Sequence, residues 1–196
     1  MSLKIIALTG PKGSGKDTVG RMITEIYPDL NPKTIAFADP IKKEIQHIFK
    51  LDGEDNDEYD RFKRSNLAAT AEFKDSHQQT TWKHIDARHV VREIGMLMRR
   101  YDTKQFTNYV LQEIQKDTNR LWVITDLRFD EEYIMLKNLG AKVVKILRPS
   151  YNYDGHITER GFDDHLVDTM LMNDGDLEYL KIRIGYVMKG FLEGTL

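Results

Sequence analysis

The chain has 196 residues, which suffices for one sizeable domain but not comfortably for two. Its formal net charge of -2 and its pI of about 6.3 argue against a protein that binds nucleic acid by neutralising the phosphate backbone. The absence of cysteine excludes disulfides and thiolate metal sites and favours a reducing, cytoplasmic compartment. No apolar run is long enough to predict a membrane span, so we expect neither a membrane nor a nucleic-acid partner.

Apolar stretches alternate with amphipathic stretches along the chain, which predicts alternating strands and helices. The predicted strands are 3–9, 33–38, 121–126, 141–148 and 167–172. The predicted helices are 16–27, 40–50, 86–100, 105–117, 130–140 and a final helix after the segment 173–176, with Leu177, Leu180, Ile184, Val187 and Phe191 on one face. Residues 51–85 and 149–165 are predicted to be irregular. This order is typical of βαβ units, so we expect an α/β fold whose mostly parallel central sheet has helices on both faces.

Glycines and a lysine follow the first predicted strand. Gly10, Gly15 and Lys16 have the spacing G-x-x-x-x-G-K, and a predicted helix comes next. Small residues let such a loop fold round an anion with its N–H groups pointing inwards, and the helix N-terminus adds positive potential. The lysine then reaches the β- and γ-phosphates of a bound triphosphate, so the sequence predicts a P-loop that binds ATP. Its predicted residues are Gly10, Lys12, Gly13, Ser14, Gly15, Lys16, Asp17 and Thr18.

The residue after the lysine departs from the usual P-loop pattern. Asp17 occupies the position where a hydroxyl that faces Mg²⁺ is expected, and Thr18 follows it. The order Gly-Lys-Asp-Thr resembles the Gly-Lys-Gly-Thr loop of nucleoside monophosphate kinases such as adenylate kinase, and under that resemblance Thr18 supplies the hydroxyl. The carboxylate of Asp17 then either interacts favourably with the positive N-terminal end of the helix, without a role in chemistry, or holds a water on the metal. The sequence leaves both open.

A carboxylate and an arginine follow the central predicted strand. Asp126 ends that strand, at the edge of a parallel sheet where ligands bind. A carboxylate there suits contact with Mg²⁺, either directly or through water, and Arg128 offers a guanidinium suited to a phosphate or a base edge. We therefore predict Thr18 and Asp126 as metal ligands, and Lys16, Asp126 and Arg128 as catalytic residues. A helix cap with a surface salt bridge is the alternative for Asp126 and Arg128.

Basic residues between the P-loop and Asp126 are candidates for holding a second phosphate. Lys42 and Arg61 are two of them, and the predicted helix 86–100 carries more. On that helix one side carries Arg88, Arg92 and Arg99, and another carries Val91, Ile94 and Met98. This pattern is typical of a helix that lines a polar cleft. It is equally typical of a helix that presents a basic face to solvent.

Taken together, these motifs resemble the deoxynucleoside monophosphate kinases of tailed bacteriophages, along nearly the whole chain. The segments that carry the resemblance are GSGKDT, FADPIK, YDR, VRE, DLRFDEE, ILRP, HITE and NDGDLE. Arg148, at the end of a predicted strand before Pro149, is expected to stack on the adenine of ATP or to close with the lid. Phe106 stands where the family favours a tryptophan. The residues implied at the monophosphate are Ile41, Lys42, Arg61, Arg92, Phe106, Asn108, Arg128 and Glu132.

The same resemblance implies a single P-loop kinase domain that uses ATP and Mg²⁺ to phosphorylate a deoxynucleoside monophosphate. Its core is expected at 1–50 and 118–196, with an acceptor-binding insertion at about 51–117 and a lid at about 149–165. Its partners are expected to be small nucleotides, a homodimer is allowed, and the compartment is the host cytoplasm if a phage encodes the protein. Two alternatives are a kinase for another small phosphorylated acceptor, such as the phosphomevalonate kinases of the same superfamily, and a nucleotide-gated binding protein without transfer chemistry.

Overall fold

The computed structural model describes residues 3–48, 61–62, 66–74, 80–149 and 162–196. The chain divides into two compact units, of which the first combines Met1–Phe37 with Phe106–Leu196 and the second is Ala38–Gln105. The predicted partition into a core, an acceptor-binding insertion and a lid stays a prediction, and residues 150–161 of that lid lie outside the described residues.

Both units contain strands and helices, and the second includes an antiparallel pair of strands. The strands are β1 (Lys4–Thr9), β2 (Lys33–Ile35), β3 (Asn66–Lys74), β4 (Thr80–Asp86), β5 (Leu121–Ile124), β6 (Lys142–Leu147) and β7 (Thr169–Met172). The helices are α1 (Lys16–Ile26), α2 (Asp39–Ile48), α3 (Ala87–Tyr101), α4 (Lys104–Lys116), α5 (Asp130–Asn138) and α6 (Leu177–Glu193). None of the helices in the described ranges is long and apolar enough to cross a bilayer.

The first unit is built on a sheet whose strand order is β2-β5-β1-β6-β7. Every neighbouring pair in it is parallel, with Ile6 of β1 opposite Val123 of β5 and Ala7 opposite Val143 of β6. The predicted α/β fold with a parallel central sheet is therefore confirmed. Since β1 lies in the middle, the loop that follows it emerges between the ends of two other strands.

Both faces of the central strand are buried, because successive side chains of a strand point to opposite faces. Ile6 and Leu8 lie in one core cluster with residues of α1 and α6, and Ile5 and Ala7 on the other face are equally inaccessible to solvent. Full burial of one such aliphatic side chain stabilises a fold by about 1.5–3 kcal/mol. Helices therefore cover the sheet as the apolar run in β1 predicts.

The last helix is anchored by its cap and by a narrow apolar stripe. Asp176 Oδ1 accepts a hydrogen bond of 2.8 Å from the backbone N–H of Tyr179 and so caps the N-terminus of the helix. Leu180, Ile184 and Met188 are buried at helical spacing. Leu177 lies on this face, seven residues before Ile184, but its side chain is 58% exposed, so the stripe is buried only from Leu180 onwards.

The second unit contains α2, α3 and the antiparallel pair β3–β4, whose register runs from Asn66 opposite Asp86 to Lys74 opposite Thr80. The prediction that residues 51–85 are irregular is therefore wrong over these two strands. A Cβ atom placed on Gly95 of α3 would lie 3.1 Å from Ile41 Cδ1 of α2. The two helices consequently pack closely where Gly95 has no side chain.

A carboxylate ties α5 to β6 at the side of the sheet. Asp168 Oδ2 accepts hydrogen bonds from the backbone N–H of Val143 at 2.7 Å and from Lys137 Nζ at 2.9 Å. Burial opposes ionisation of Asp168, but the Val143 N–H and the Lys137 and Lys142 ammonium groups outweigh it and lower the pKa of the carboxyl below its ordinary value. The ionised carboxylate therefore stabilises the folded state.

We predict that Asp168→Asn, which keeps the shape and removes the charge, lowers the free energy of unfolding by about 1–3 kcal/mol at neutral pH. Because the folded pKa lies below the unfolded value of about 3.9, the contribution is complete above that value and is lost as the pH falls through the folded pKa. Urea denaturation of the wild type and the variant, at pH 7 and in steps below pH 4, measures both free energies of unfolding. The two values should converge as the pH falls.

Asp164→Asn is the matched control, since Asp164 pairs with Lys145 Nζ at 2.6 Å but its side chain is 65% exposed. An exposed ion pair contributes little, so this variant should unfold nearly like the wild type. An equal loss in both variants, or a loss for Asp168→Asn that does not depend on pH, would contradict the assignment.

Candidate functional site

The loop after β1 has the backbone that a P-loop requires. Gly10, Gly13 and Gly15 have φ angles of 131°, 74° and 100°, in the left-handed region that favours glycine. A Cβ atom on Gly10 would lie only 2.4 Å from the carbonyl oxygen of Ile146 in β6. Gly10 is thus required both by its dihedral angle and by the close approach of the neighbouring strand.

The lysine of the motif folds back across this loop. Lys16 is 8% exposed, and its Nζ donates hydrogen bonds to the carbonyl oxygens of Gly10 at 2.7 Å and Pro11 at 2.8 Å. The backbone N–H of Ser14 donates to the same Pro11 oxygen at 3.2 Å. The ammonium group is therefore held inside the loop, where it can meet an anion.

The start of α1 completes the loop. Ser14 is fully buried, and among the described residues its Oγ has no hydrogen-bond partner. Asp17 in the first helical turn is exposed and Thr18 is half-buried. A buried unsatisfied hydroxyl is costly, so its position beside a helix N-terminus fits a polar ligand.

The Asp126 loop lies at the same sheet edge, between the ends of β2 and β1. The N–H of Thr125 donates to the carbonyl oxygen of Ile35 at 3.1 Å, and the N–H of Leu127 donates to Leu8 at 3.2 Å. Asp126 Oδ1 accepts from the N–H of Phe37 at 2.7 Å. The loop is thus fixed by backbone hydrogen bonds on both sides, and the carboxylate accepts a hydrogen bond from Phe37 next to the strand that leads into the P-loop.

Two predicted strand boundaries are wrong at this place, and for one reason. The strand predicted over 33–38 ends at Ile35 and the strand predicted over 121–126 ends at Ile124. The N–H of Phe37 is bonded to the Asp126 side chain instead of a strand partner, so the ladder stops and the chain turns.

Glu132 organises the segment that carries Arg128. It is fully buried, and its Oε2 accepts hydrogen bonds from the backbone N–H of Arg128 at 2.9 Å and of Phe129 at 3.2 Å. A carboxylate at this position satisfies N–H groups that the start of α5 leaves unpaired. The structure thus places Glu132 on the backbone of the loop that carries Asp126 and Arg128.

Gly20 sets the distance between α1 and the Asp126 loop. A Cβ atom on Gly20 would lie 2.8 Å from Thr125 Cγ2, closer than carbon atoms approach. The helix that carries Thr18 therefore packs directly on the residue before Asp126. Sequence reasoning missed this pair, since a glycine inside a helical pattern is by itself a weak signal.

Asn173 is a further residue that sequence reasoning missed, although it follows β7 at the same sheet edge. Its Nδ2 donates a hydrogen bond of 2.8 Å to the carbonyl oxygen of Ser14. Arg148, which follows β6, makes a longer contact of 3.4 Å from Nη1 to the carbonyl oxygen of Gly13. An available signal was that a polar side chain after the last parallel strand lies where ligands bind.

The residues predicted to bind the monophosphate are divided between the two units. In the second unit Ile41 is buried, Lys42 Nζ pairs with Asp39 Oδ1 at 3.1 Å, Arg61 is exposed and Arg92 is half-buried. The side chain of Arg88 lies outside the described residues.

The remaining acceptor candidates lie in the first unit. Phe106 is fully buried in α4 and Asn108 is exposed on the same helix. Arg128 and Glu132 belong to the Asp126 loop and the start of α5. The two sets of acceptor residues stay predictions.

Comparison with known proteins gives related sequences. Residues 90–184 match the family model of deoxynucleotide monophosphate kinases. A protein of Acanthamoeba polyphaga mimivirus, provisionally assigned the same name, is 27% identical over 163 residues, which are 76% of this chain and 77% of that protein. The deoxynucleotide monophosphate kinase of Escherichia phage RB69 is 30% identical over 97 residues, 49% of this chain and 39% of that kinase. Its counterpart from Enterobacteria phage T4 is 35% identical over 69 residues, 35% of this chain and 29% of that kinase.

Among solved structures, a dephospho-CoA kinase from Campylobacter jejuni has a TM-score of 0.51 and 18% identity, covering 98% of each chain. At this identity the likeness shows the fold. Together with the loop geometry it shows an α/β fold with a P-loop after the central strand. The resemblance of the sequence to the deoxynucleotide monophosphate kinases is confirmed, because the family model and the phage and mimivirus relatives all carry that name.

We predict that Gly20→Ala lowers the free energy of unfolding by about 1–3 kcal/mol, because its methyl group overpacks the contact with Thr125. Thr125→Ser removes the opposing Cγ2 atom, so the double variant should regain most of the loss. Thermal or urea unfolding of the wild type, both single variants and the double variant measures this coupling.

Gly185→Ala in α6 is the control, since no atom lies within 4 Å of a Cβ placed on Gly185. Alanine favours a helix over glycine by about 1 kcal/mol, so this variant should be as stable as the wild type or more stable. If Gly20→Ala were as stable as the wild type, the contact with Thr125 would not set how closely α1 packs on the Asp126 loop.

Proposed function

We propose that this protein is a deoxynucleoside monophosphate kinase, which transfers the γ-phosphate of ATP to a deoxynucleoside monophosphate and releases ADP and a deoxynucleoside diphosphate. The observation that carries the proposal is the closed P-loop with Lys16 held inside it, in a chain related to kinases of that name. The fixed carboxylate of Asp126, on the loop that follows the neighbouring strand, supports it.

The P-loop binds the donor in this proposal. Its N–H groups and the N-terminus of α1 attract the phosphates, and Lys16 exchanges its two carbonyl contacts for contacts with the β- and γ-phosphates. The buried hydroxyl of Ser14 gains a partner on the same ligand. Arg148, beside Gly13, and Lys12 add positive charge at the rim.

The oxygen donors at this edge fit Mg²⁺. Among the described residues no three histidine, aspartate or glutamate side chains gather into a metal site of their own. Mg²⁺ ordinarily uses one or two protein oxygens and completes its shell with water and substrate phosphates. Thr18 and Asp126 would hold it, directly or through water, and it would neutralise charge on the β- and γ-phosphates.

The acceptor is held by cations. Lys42, Arg61, Arg92 and Arg128 are proposed to bind the monophosphate, because guanidinium groups match phosphate oxygens in charge and geometry. The proposed surroundings of the nucleoside are Ile41, Phe106, Asn108 and Glu132.

The reaction requires positioning rather than a base. An oxygen of the acceptor phosphate is already anionic at neutral pH, so no proton must be removed before attack. A bond forms between this oxygen and the γ-phosphorus, the bond from that phosphorus to the β–γ bridging oxygen breaks, and ADP leaves. Catalysis then consists of aligning the two phosphates and neutralising their charge with Lys16 and the arginines.

We expect ADP release in a coupled assay to depend on at least one of dAMP, dGMP, dCMP and dTMP, and Lys16→Ala to reduce the rate at least about 100-fold, as loss of a charged donor to the transferred group does. Phosphomevalonate and the ribonucleotides belong in the same panel. ADP release that no deoxynucleoside monophosphate stimulates would overturn the proposal, and stimulation by another phosphorylated acceptor alone would identify a different kinase.

The acceptor assignment has its own prediction. Arg61→Ala should raise the KM for the monophosphate roughly 10–100-fold with little change in the KM for ATP, because a charged hydrogen bond to phosphate contributes about 1.5–3 kcal/mol. Arg100→Ala, at an exposed arginine near the end of α3, is the control for general loss of positive charge. If Arg61→Ala left the KM for the monophosphate unchanged, Arg61 would not belong to the acceptor site.

A further inference from the structure

The side chain of Asn173 reaches the P-loop from a distant part of the chain. Asn173 follows β7, and its own N–H donates to the carbonyl oxygen of Leu147 at 2.7 Å, which attaches it to the end of β6. Its Nδ2 donates to the carbonyl oxygen of Ser14 at 2.8 Å, across 159 positions of sequence. One asparagine therefore links the ends of two strands to the middle of the loop.

This hydrogen bond fixes the direction of one peptide group. A trans peptide is planar, and its C=O and N–H point in opposite directions. The peptide that joins Ser14 to Gly15 has its oxygen directed at Asn173, so the N–H of Gly15 points away from Asn173. In a P-loop the N–H groups must converge on the phosphates, and a peptide turned the other way would present a repelling oxygen.

Gly15 needs such a restraint, because glycine rotates more freely than any other residue. Its φ of 100° is in the left-handed region, and the adjoining peptide can rotate at little steric cost. A Cβ atom on Gly15 would lie 2.4 Å from Asn173 Nδ2. The missing side chain of Gly15 thus makes room for the amide that restrains it.

The segment that carries Asn173 is itself braced by α6. Arg183 Nη2 lies 3.3 Å from Asp174 Oδ1 and donates to the Tyr179 hydroxyl at 3.0 Å, and its guanidinium stacks 4.5 Å above the Tyr179 ring. Nη1 of the same arginine approaches the carbonyl oxygen of Met172 at 3.4 Å. Contacts on both sides of Asn173 therefore hold its amide in place.

We propose that Asn173 is a positioning residue of the donor site, which holds the Ser14–Gly15 peptide so that the Gly15 N–H faces the phosphates of the nucleotide. The inference rests on the proposed function only in that the P-loop binds the donor. It does not depend on which acceptor receives the phosphate.

The test measures nucleotide binding without any acceptor, by calorimetric titration of the full chain with ATP and with ADP. Asn173→Leu keeps a similar shape without the N–H donor, and Asn173→Asp keeps the shape but replaces the donor with a negative charge. We expect an affinity loss of about tenfold or more for Asn173→Leu and a larger loss for Asn173→Asp, since each loses a hydrogen bond and the second adds repulsion. Asn138→Asp, at an exposed asparagine that ends α5, is the control and should bind like the wild type.

Two further readouts separate positioning from a loss of folding. Thermal unfolding followed by circular dichroism should show both Asn173 variants folded at the titration temperature. The backbone amide signal of Gly15, resolved by ¹⁵N NMR, should shift on ADP addition in the wild type and lose that shift in Asn173→Leu.

The outcomes distinguish the two proposals. Wild-type affinity in Asn173→Leu, with an unchanged Gly15 response, would overturn the role of Asn173 and leave the kinase proposal standing. A wild-type protein that binds neither ATP nor ADP would overturn both. A third outcome is that Asn173→Leu weakens nucleotide binding but the wild type phosphorylates no deoxynucleoside monophosphate. This result would overturn the kinase proposal and support the role of Asn173.

Discussion

Parallel pairing of β1 with β5 on one side and β6 on the other is the constraint on which the candidate site depends. Parallel strands end at the same edge of a sheet, so the segments that follow them meet there. The P-loop follows β1, Asp126 follows β5, Arg148 follows β6 and Asn173 follows β7. Backbone hydrogen bonds of the sheet thus bring together groups as distant in the sequence as Ser14 and Asn173, which are 159 residues apart.

Features that depend on local chemistry could be predicted from the sequence. Strand and helix periodicity sufficed for the parallel sheet, and the spacing of Gly10, Gly15 and Lys16 sufficed for the loop, because positive φ angles there demand glycine. The strand ends after Ile35 and Ile124 could not be predicted, since a contact between Asp126 and the N–H of Phe37, 89 residues apart, decides them.

Other features gave a weak signal or none. The segment 75–79 between β3 and β4 contains neither glycine nor proline, the residues that usually mark a hairpin, and charged residues interrupt the alternation of both strands. Asn173 stands in the segment 173–176 before α6 and in the NDGDLE segment, and neither pattern predicts a role for its side chain. Its amide contact with Ser14 depends on the order of β6 and β7 in the sheet, which periodicity does not contain.

The contacts that shape the P-loop come from distant parts of the chain. Residues 10–16 are synthesised before their partners, since β1 pairs with strands that begin at Leu121 and Lys142, and the amide that orients the Ser14 peptide belongs to Asn173. A nascent or truncated chain that lacks the residues from Leu121 onwards therefore carries the glycine signature without the strands and the amide that shape the loop.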